Sequence, residues 1–143
     1  VSDKKTNVLL WLALGLTMIQ IVIGTQVRQF IDDQISFLGE QAKELWLLEP
    51  QLQFYIHRSF SILVVLLNVF IAYTIYKKNL KLSKMNWVLS LLGIEILTGM
   101  GMYYLDFPFG SQALHLVIAS LLFGVQFYLV LETQKAKIRV ETL

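Results

Sequence analysis

Thr6 to Val27 reads TNVLLWLALGLTMIQIVIGTQV, 22 residues without a charge, closed by Lys5 on one side and Arg28 on the other. About 20 mostly apolar residues suffice to cross the hydrocarbon of a bilayer as a helix. Three further runs follow. Phe54 to Tyr76 carries only Arg58 near its start, Asn86 to Leu105 only Glu95 near its middle, and Phe107 to Leu131 no charge. These runs predict four transmembrane helices at about 8–29, 54–76, 86–105 and 111–132, in one domain over 1–143. No proline falls inside a span, since Pro50 and Pro108 both lie in connections just before a helix start. A transmembrane β-barrel needs alternating segments of about ten residues, which continuous apolar runs do not supply. The expected fold is all-α, a transmembrane four-helix bundle.

Composition agrees. Of 143 residues, 56% are hydrophobic and 15% charged, against roughly 25% charged in soluble domains, which excludes a soluble enzyme. The chain has no cysteine, so disulfides, Cys-ligated zinc, iron–sulfur clusters and covalently attached c-type haem are excluded. A net charge of +2 gives no argument for nucleic acid. The first run is longer than a signal peptide's apolar region, and no small-x-small cleavage site follows it. Val1 in place of methionine suggests a processed or excised piece of something longer.

Charge placement orients the spans. The N-terminus (Lys4, Lys5), the second connection (Lys77, Lys78, Lys81, Lys84) and the tail (Lys135, Lys137, Arg139) hold nine of the twelve bases. The opposite side holds Arg28, Lys43 and Arg58 with six acids, Asp32, Asp33, Glu40, Glu44, Glu49 and Asp106. The positive-inside rule then makes both termini cytoplasmic. Trp11 and Trp87 suit the inner interface, and Trp46, Tyr55, Tyr103 and Tyr104 the outer one. In the first connection Leu38, Ala42, Leu45 and Trp46 are spaced for a short amphipathic surface helix at about 35–48. It would serve either as a lid over an outward-facing site or as a linker resting on the interface. Contact of the inner bases with anionic membrane lipid is open to the chain.

The first span contains Ile19-Gln20-Ile21-Val22-Ile23-Gly24 and the third Ile94-Glu95-Ile96-Leu97-Thr98-Gly99. The second and fourth spans each place one histidine near the outer end, with a small residue one turn inward: His57 with Ser61, His115 with Ala119. The chain therefore reads as two pseudo-repeated helix pairs of parallel topology. Thr17, Gln20 and Gly24 share a face of the first span, and Glu95 and Gly99 a face of the third. Polar groups are expensive in hydrocarbon. Gln20, Asn68 and Gln126 suit interhelical hydrogen bonds, and the glycines suit close approach. Glu95 is expected as a neutral, hydrogen-bonded acid, either structural or handling protons.

His57 and His115 are the chain's only histidines. Counted from the inner helix ends they lie 19 and 17 residues deep, a difference of about 3 Å at about 1.5 Å per residue. In a bundle taken in chain order their helices stand diagonally opposite. One imidazole could then approach each face of a flat macrocycle, and histidine is a common ligand of haem iron. Arg58 and Arg28 lie at the level of outward-pointing propionates, for which guanidinium is well suited; otherwise they snorkel to lipid headgroups. Two histidines do not make a four-ligand zinc site.

Gln20-Ile-Val-Ile-Gly-Thr-Gln-Val-Arg28 in the first span resembles the haem A synthase family. So do Tyr55-Ile-His57-Arg58-Ser59 and Ala113-Leu-His115-Leu-Val-Ile-Ala119, across essentially all four spans. The resemblance implies an eight-helix membrane oxidoreductase of two similar halves, each with a histidine pair. Its activity would be oxidation of the C8 methyl group of haem O to the formyl group of haem A, for terminal oxidases. It further implies that the N-terminal half holds the reactive site and the C-terminal half a haem b. This chain is most similar to the C-terminal half. Phe54 stands where the reactive half has a glutamate three residues before its first histidine, and the first outer loop lacks the cysteine pair. Glu95 stands where the family usually has glutamine. On that footing His57 and His115 are axial ligands, and the partners are haem, the missing N-terminal half or a second copy, and oxidase assembly factors. The location is a bacterial plasma membrane. A stand-alone single-haem b-type cytochrome and a non-haem assembly subunit are the competing readings.

Overall fold

A computed structural model describes residues 3–142, with side chains described through Lys135 and at Thr142. Val1 and the tail bases Lys137 and Arg139 lie outside the described residues or side chains. Four helices form the chain: α1 (Lys4–Leu38), α2 (Leu52–Lys77), α3 (Met85–Tyr104) and α4 (Ser111–Glu141). Each is long and apolar enough to cross a membrane, and no strand occurs among the described residues. The protein is an all-helical, four-helix transmembrane bundle. α1 packs against α2 and α4, and α3 against α4 and, more sparsely, α2. α2 and α4 are therefore diagonal.

Each helix turns one narrow stripe inward, at alternating steps of three and four residues. On α1 the stripe is Thr6, Leu10, Ala13, Thr17, Gln20, Gly24, Val27 and Ile31; on α2 it is His57, Ser61, Val64, Asn68, Ile71 and Ile75. α3 contributes Met85, Val88, Leu92, Glu95, Gly99 and Met102, and α4 Ser111, His115, Ala119, Leu122, Gln126, Leu129 and Thr133. A 3.5-residue repeat keeps such a seam facing its neighbours in a left-handed bundle. Only 22–28% of each span is buried. The rest exposes Leu12, Val22, Leu66, Phe70, Leu97 and Leu121, as lipid-facing surface requires.

Most of the buried apolar side chains gather toward the end of the bundle that carries the termini and the α2–α3 connection. Leu10, Ala13, Leu14, Val64, Ile71, Val88, Leu122 and Leu129 belong to this core. Diagonal α2 and α4 are joined through it by Gln126 Nε2, which donates to Asn68 Oδ1 at 3.1 Å, both side chains being buried. Asp3 caps α1 by accepting from Thr6 N, and Lys78 Nζ donates to Asp3 Oδ2 at 2.7 Å. That ammonium, with the Thr6 hydroxyl, holds the Asp3 carboxyl down at about 2. Asn7 Nδ2 donates to Thr133 Oγ1 at 2.7 Å and ties α1 to α4.

The opposite end departs from the sequence expectation. α1 does not stop near residue 29 but runs on to Leu38, because Ile31 and Ile35 continue its packed stripe into a second cluster with Trp46 and Phe107. The surface helix expected at 35–48 is absent. Gly39 ends α1 with φ 94°, its N–H returning to Ile35 O at 2.8 Å, and only Lys43–Leu45 form a single 3₁₀ turn. Trp46, expected in an interfacial belt, is 4% exposed. It lies 5.2 Å from the Phe107 ring and donates to Gly39 O at 3.2 Å. Lys43 Nζ donates to Phe107 O at 2.9 Å. The α1–α2 connection is thus fastened to the α3–α4 connection, where Asp106 and Phe107 take left-handed φ values of 52° and 54°. α4 also continues beyond residue 132, to Glu141.

Candidate functional site

Between the two apolar clusters lies a layer in which the inward stripes carry polar or small residues: Gln20 and Gly24, His57, Glu95 and Gly99, Ser111 and His115. The chain spaces them so that each histidine meets the glycine of its own pair. A Cβ placed on Gly24 would stand 3.0 Å from His57 Cε1, and one on Gly99 3.5 Å from His115 Cε1. The expectation that these glycines suit close approach is therefore refined: what approaches each is an imidazole ring. The two rings meet edge to face across the bundle, centroids 6.5 Å apart and planes at 76°. Equal depth from residue counting and diagonal placement from helix order together account for that meeting.

Hydrogen bonding differs between the two sides. Gln20 Nε2 donates to the backbone carbonyl of His57 at 2.9 Å, leaving His57 Nδ1 buried without a partner. On the other side Thr98 Oγ1 lies 2.7 Å from His115 Nδ1, and Glu95 Oε2 3.4 Å from His115 Nε2. Gln20 Oε1, Glu95 Oε1 and Ser111 Oγ are buried in the same layer with no partner. Unsatisfied buried polar atoms are uncommon in native proteins, and several gathered in one layer call for an explanation. No three His, Asp or Glu side chains come together as a metal-ligating cluster among the described residues. Grooves of about 380 and 370 Å³ lie elsewhere, one beside Lys84, Trp87 and Tyr128 and one at the α2–α3 connection.

Of the residues singled out in the sequence, His57, His115, Gln20 and Glu95 are brought together here. Arg28 and Arg58 are not. Both are exposed, Arg28 with Nε 3.9 Å from Asp32 and Arg58 over the rings of Phe54 (5.8 Å) and Tyr55 (5.4 Å). Phe54 itself stacks on Tyr103 at 5.7 Å and so packs α2 against α3. Sequence reasoning gave Thr98 no role. Its place three residues after Glu95 and next to Gly99 was the available signal.

An integral-membrane helical bundle with one pair of histidines meeting in a polar layer is the class that this fold and site define. The COX15-CtaA family model, described as cytochrome oxidase assembly protein, matches residues 1–127, and the chain belongs to this haem A synthase family. No curated protein and no solved structure matches it. Family membership assigns a role in cytochrome oxidase assembly of the haem A synthase kind, with haem O and haem A involved.

Proposed function

We propose that the chain is the haem-binding half of a haem A synthase, in which His57 and His115 would hold the iron of a haem b. The observation that carries this reading is the meeting of two histidines from diagonal helices, centroids 6.5 Å apart, in a layer of unpartnered polar atoms. The donor set fits haem iron, which neutral imidazoles commonly hold. Nε2 of His115 faces Glu95 and Cε1 of His57 lies toward Gly24; both rings would turn from these contacts to hold iron. A bound haem would supply a one-electron redox centre within the membrane.

The remaining roles belong to the chain's own residues. Arg58, adjacent to His57 in the chain, and Arg28, one turn beyond Gly24, would be the cations to pair with propionate carboxylates, leaving their present contacts with Phe54, Tyr55 and Asp32. Phe54 packs on Tyr103 where the family's reactive half has a glutamate, which supports assigning catalysis to the whole enzyme rather than to this half. The C8-methyl oxidation of haem O then needs either an N-terminal half or a second copy. The excess of lysine at the termini end supports cytoplasmic termini in a bacterial plasma membrane.

Absorption spectroscopy of protein expressed with haem supplied tests the reading. A Soret band with low-spin features is expected, lost or converted to high spin in both His57→Ala and His115→Ala. A wild type with no Soret band, or a His115→Ala spectrum unchanged from it, overturns the reading.

A further inference from the structure

We infer that Thr98 is a positioning residue that fixes the tautomer of His115, keeping the ring proton on Nδ1 and the lone pair on Nε2. Thr98 Oγ1 has two neighbours at hydrogen-bond distance, Glu95 O at 2.9 Å and His115 Nδ1 at 2.7 Å. A hydroxyl has one proton to give, and a backbone carbonyl only accepts. A helical threonine characteristically gives its proton to the carbonyl one turn back, here Glu95 O, and so presents a lone pair to His115 Nδ1. Nδ1 is then the protonated nitrogen, and a neutral imidazole carries one proton, so Nε2 keeps its lone pair, facing Glu95 Oε2 at 3.4 Å.

Contacts of α3 hold the ring from three sides. Glu95, Thr98 and Gly99 are spaced i, i+3 and i+4, one face of a helix. They meet Nε2 at 3.4 Å, Nδ1 at 2.7 Å and, through the missing Cβ of Gly99, Cε1. His57 has no such partner. In the repeat its counterpart of Thr98 is Ile23, and His57 Nδ1 stays unpartnered. A group that fixes the far nitrogen of a ligating histidine typically contributes 10–100-fold to metal affinity. The inference rests on the haem-ligand reading for its consequence but not for the tautomer itself.

Two measurements on the purified protein in nanodiscs separate these parts. In haem-free protein with ¹⁵N-labelled imidazole, long-range ¹⁵N–¹H spectra are expected to show His115 as the Nδ1–H tautomer. Thr98→Val should give a mixture and Thr98→Ser should restore it. Haem titration should show binding weakened 10–100-fold in Thr98→Val and within about threefold of wild type in Thr98→Ser. An Nε2–H signal for His115 in the wild type overturns the inference. So does a Thr98→Val protein with unchanged tautomer and affinity. A wild type that shows Nδ1–H but binds no haem overturns the proposed function while upholding the role of Thr98 in the tautomer.

Discussion

The two helix pairs carry the same skeleton finished in two ways. α1–α2 sets a glycine against a histidine so tightly that a Cβ would come within 3.0 Å of the ring, yet offers Nδ1 nothing. α3–α4 packs the equivalent ring more loosely, at 3.5 Å, and holds it through Thr98 and Glu95. One histidine is held by shape and the other by hydrogen bonds. A repeated sequence thus sets the positions of two rings, while single side chains decide how freely each can turn.

The largest effect expected from breaking this contrast comes from the glycines. Gly24→Ala must push the His57 ring by a few tenths of an ångström; overpacking of about 1–3 kcal/mol, less about 0.5–1 kcal/mol of helix propensity, should leave a net loss of about 1 kcal/mol, with haem retention falling alongside. Gly99→Ala enters ordinary van der Waals contact and, with about 0.5–1 kcal/mol gained in helix propensity, should leave stability unchanged or slightly raised. Unfolding in detergent with spectral titration checks both, and equal losses would remove the distinction. Next in size, Ile23→Thr transplants the hydroxyl to the α1–α2 pair. If it satisfies His57 Nδ1, one hydrogen bond of about 1 kcal/mol should tighten haem binding about fivefold.

Gln126→Leu tests how the pairs are joined. It removes the donor to Asn68 Oδ1 between the two histidine-bearing helices and should destabilise the bundle by about 0.6 kcal/mol, the average for such bonds in membranes. The smallest effect concerns the tie of α1 to the end of α2. The folded Asp3 carboxyl titrates near 2, below its ordinary 3.8, because Lys78 pairs with it. A depressed folded pKa means stability present above the unfolded value and lost as pH falls from about 3.8 toward 2. Wild type should therefore exceed Asp3→Asn in thermal stability at pH 5, and the gap should close toward pH 2 and shrink in high salt.

Much of this was legible in the residues. Long uncharged runs announced the four spans because hydrocarbon tolerates little else, and the inward stripes follow from helical periodicity. Gln20, Glu95 and the two histidines proved to share a layer because residue number measures depth along a straight helix. The failures share a cause. The spacing of Leu38, Ala42, Leu45 and Trp46 suits a helix, but Gly39 interrupts it with positive φ, and Phe107, some sixty residues away, draws Trp46 inward. α1 outran its expected end for the same reason, since Ile31 and Ile35 found partners in other segments.

Sequence by itself determined the class of fold, the twofold repeat and the level at which two histidines lie, all of which follow from local composition and a fixed rise per residue. Only the tertiary structure decided that the histidines fill the space their glycines leave and that Thr98 reaches Nδ1 of His115 while Nδ1 of His57 has no partner. It alone also showed that the far-end connections are fastened together by Lys43 and Trp46. Those outcomes depend on which side chains meet across helices, and a helix's own period says which way a residue points but not what will be standing there.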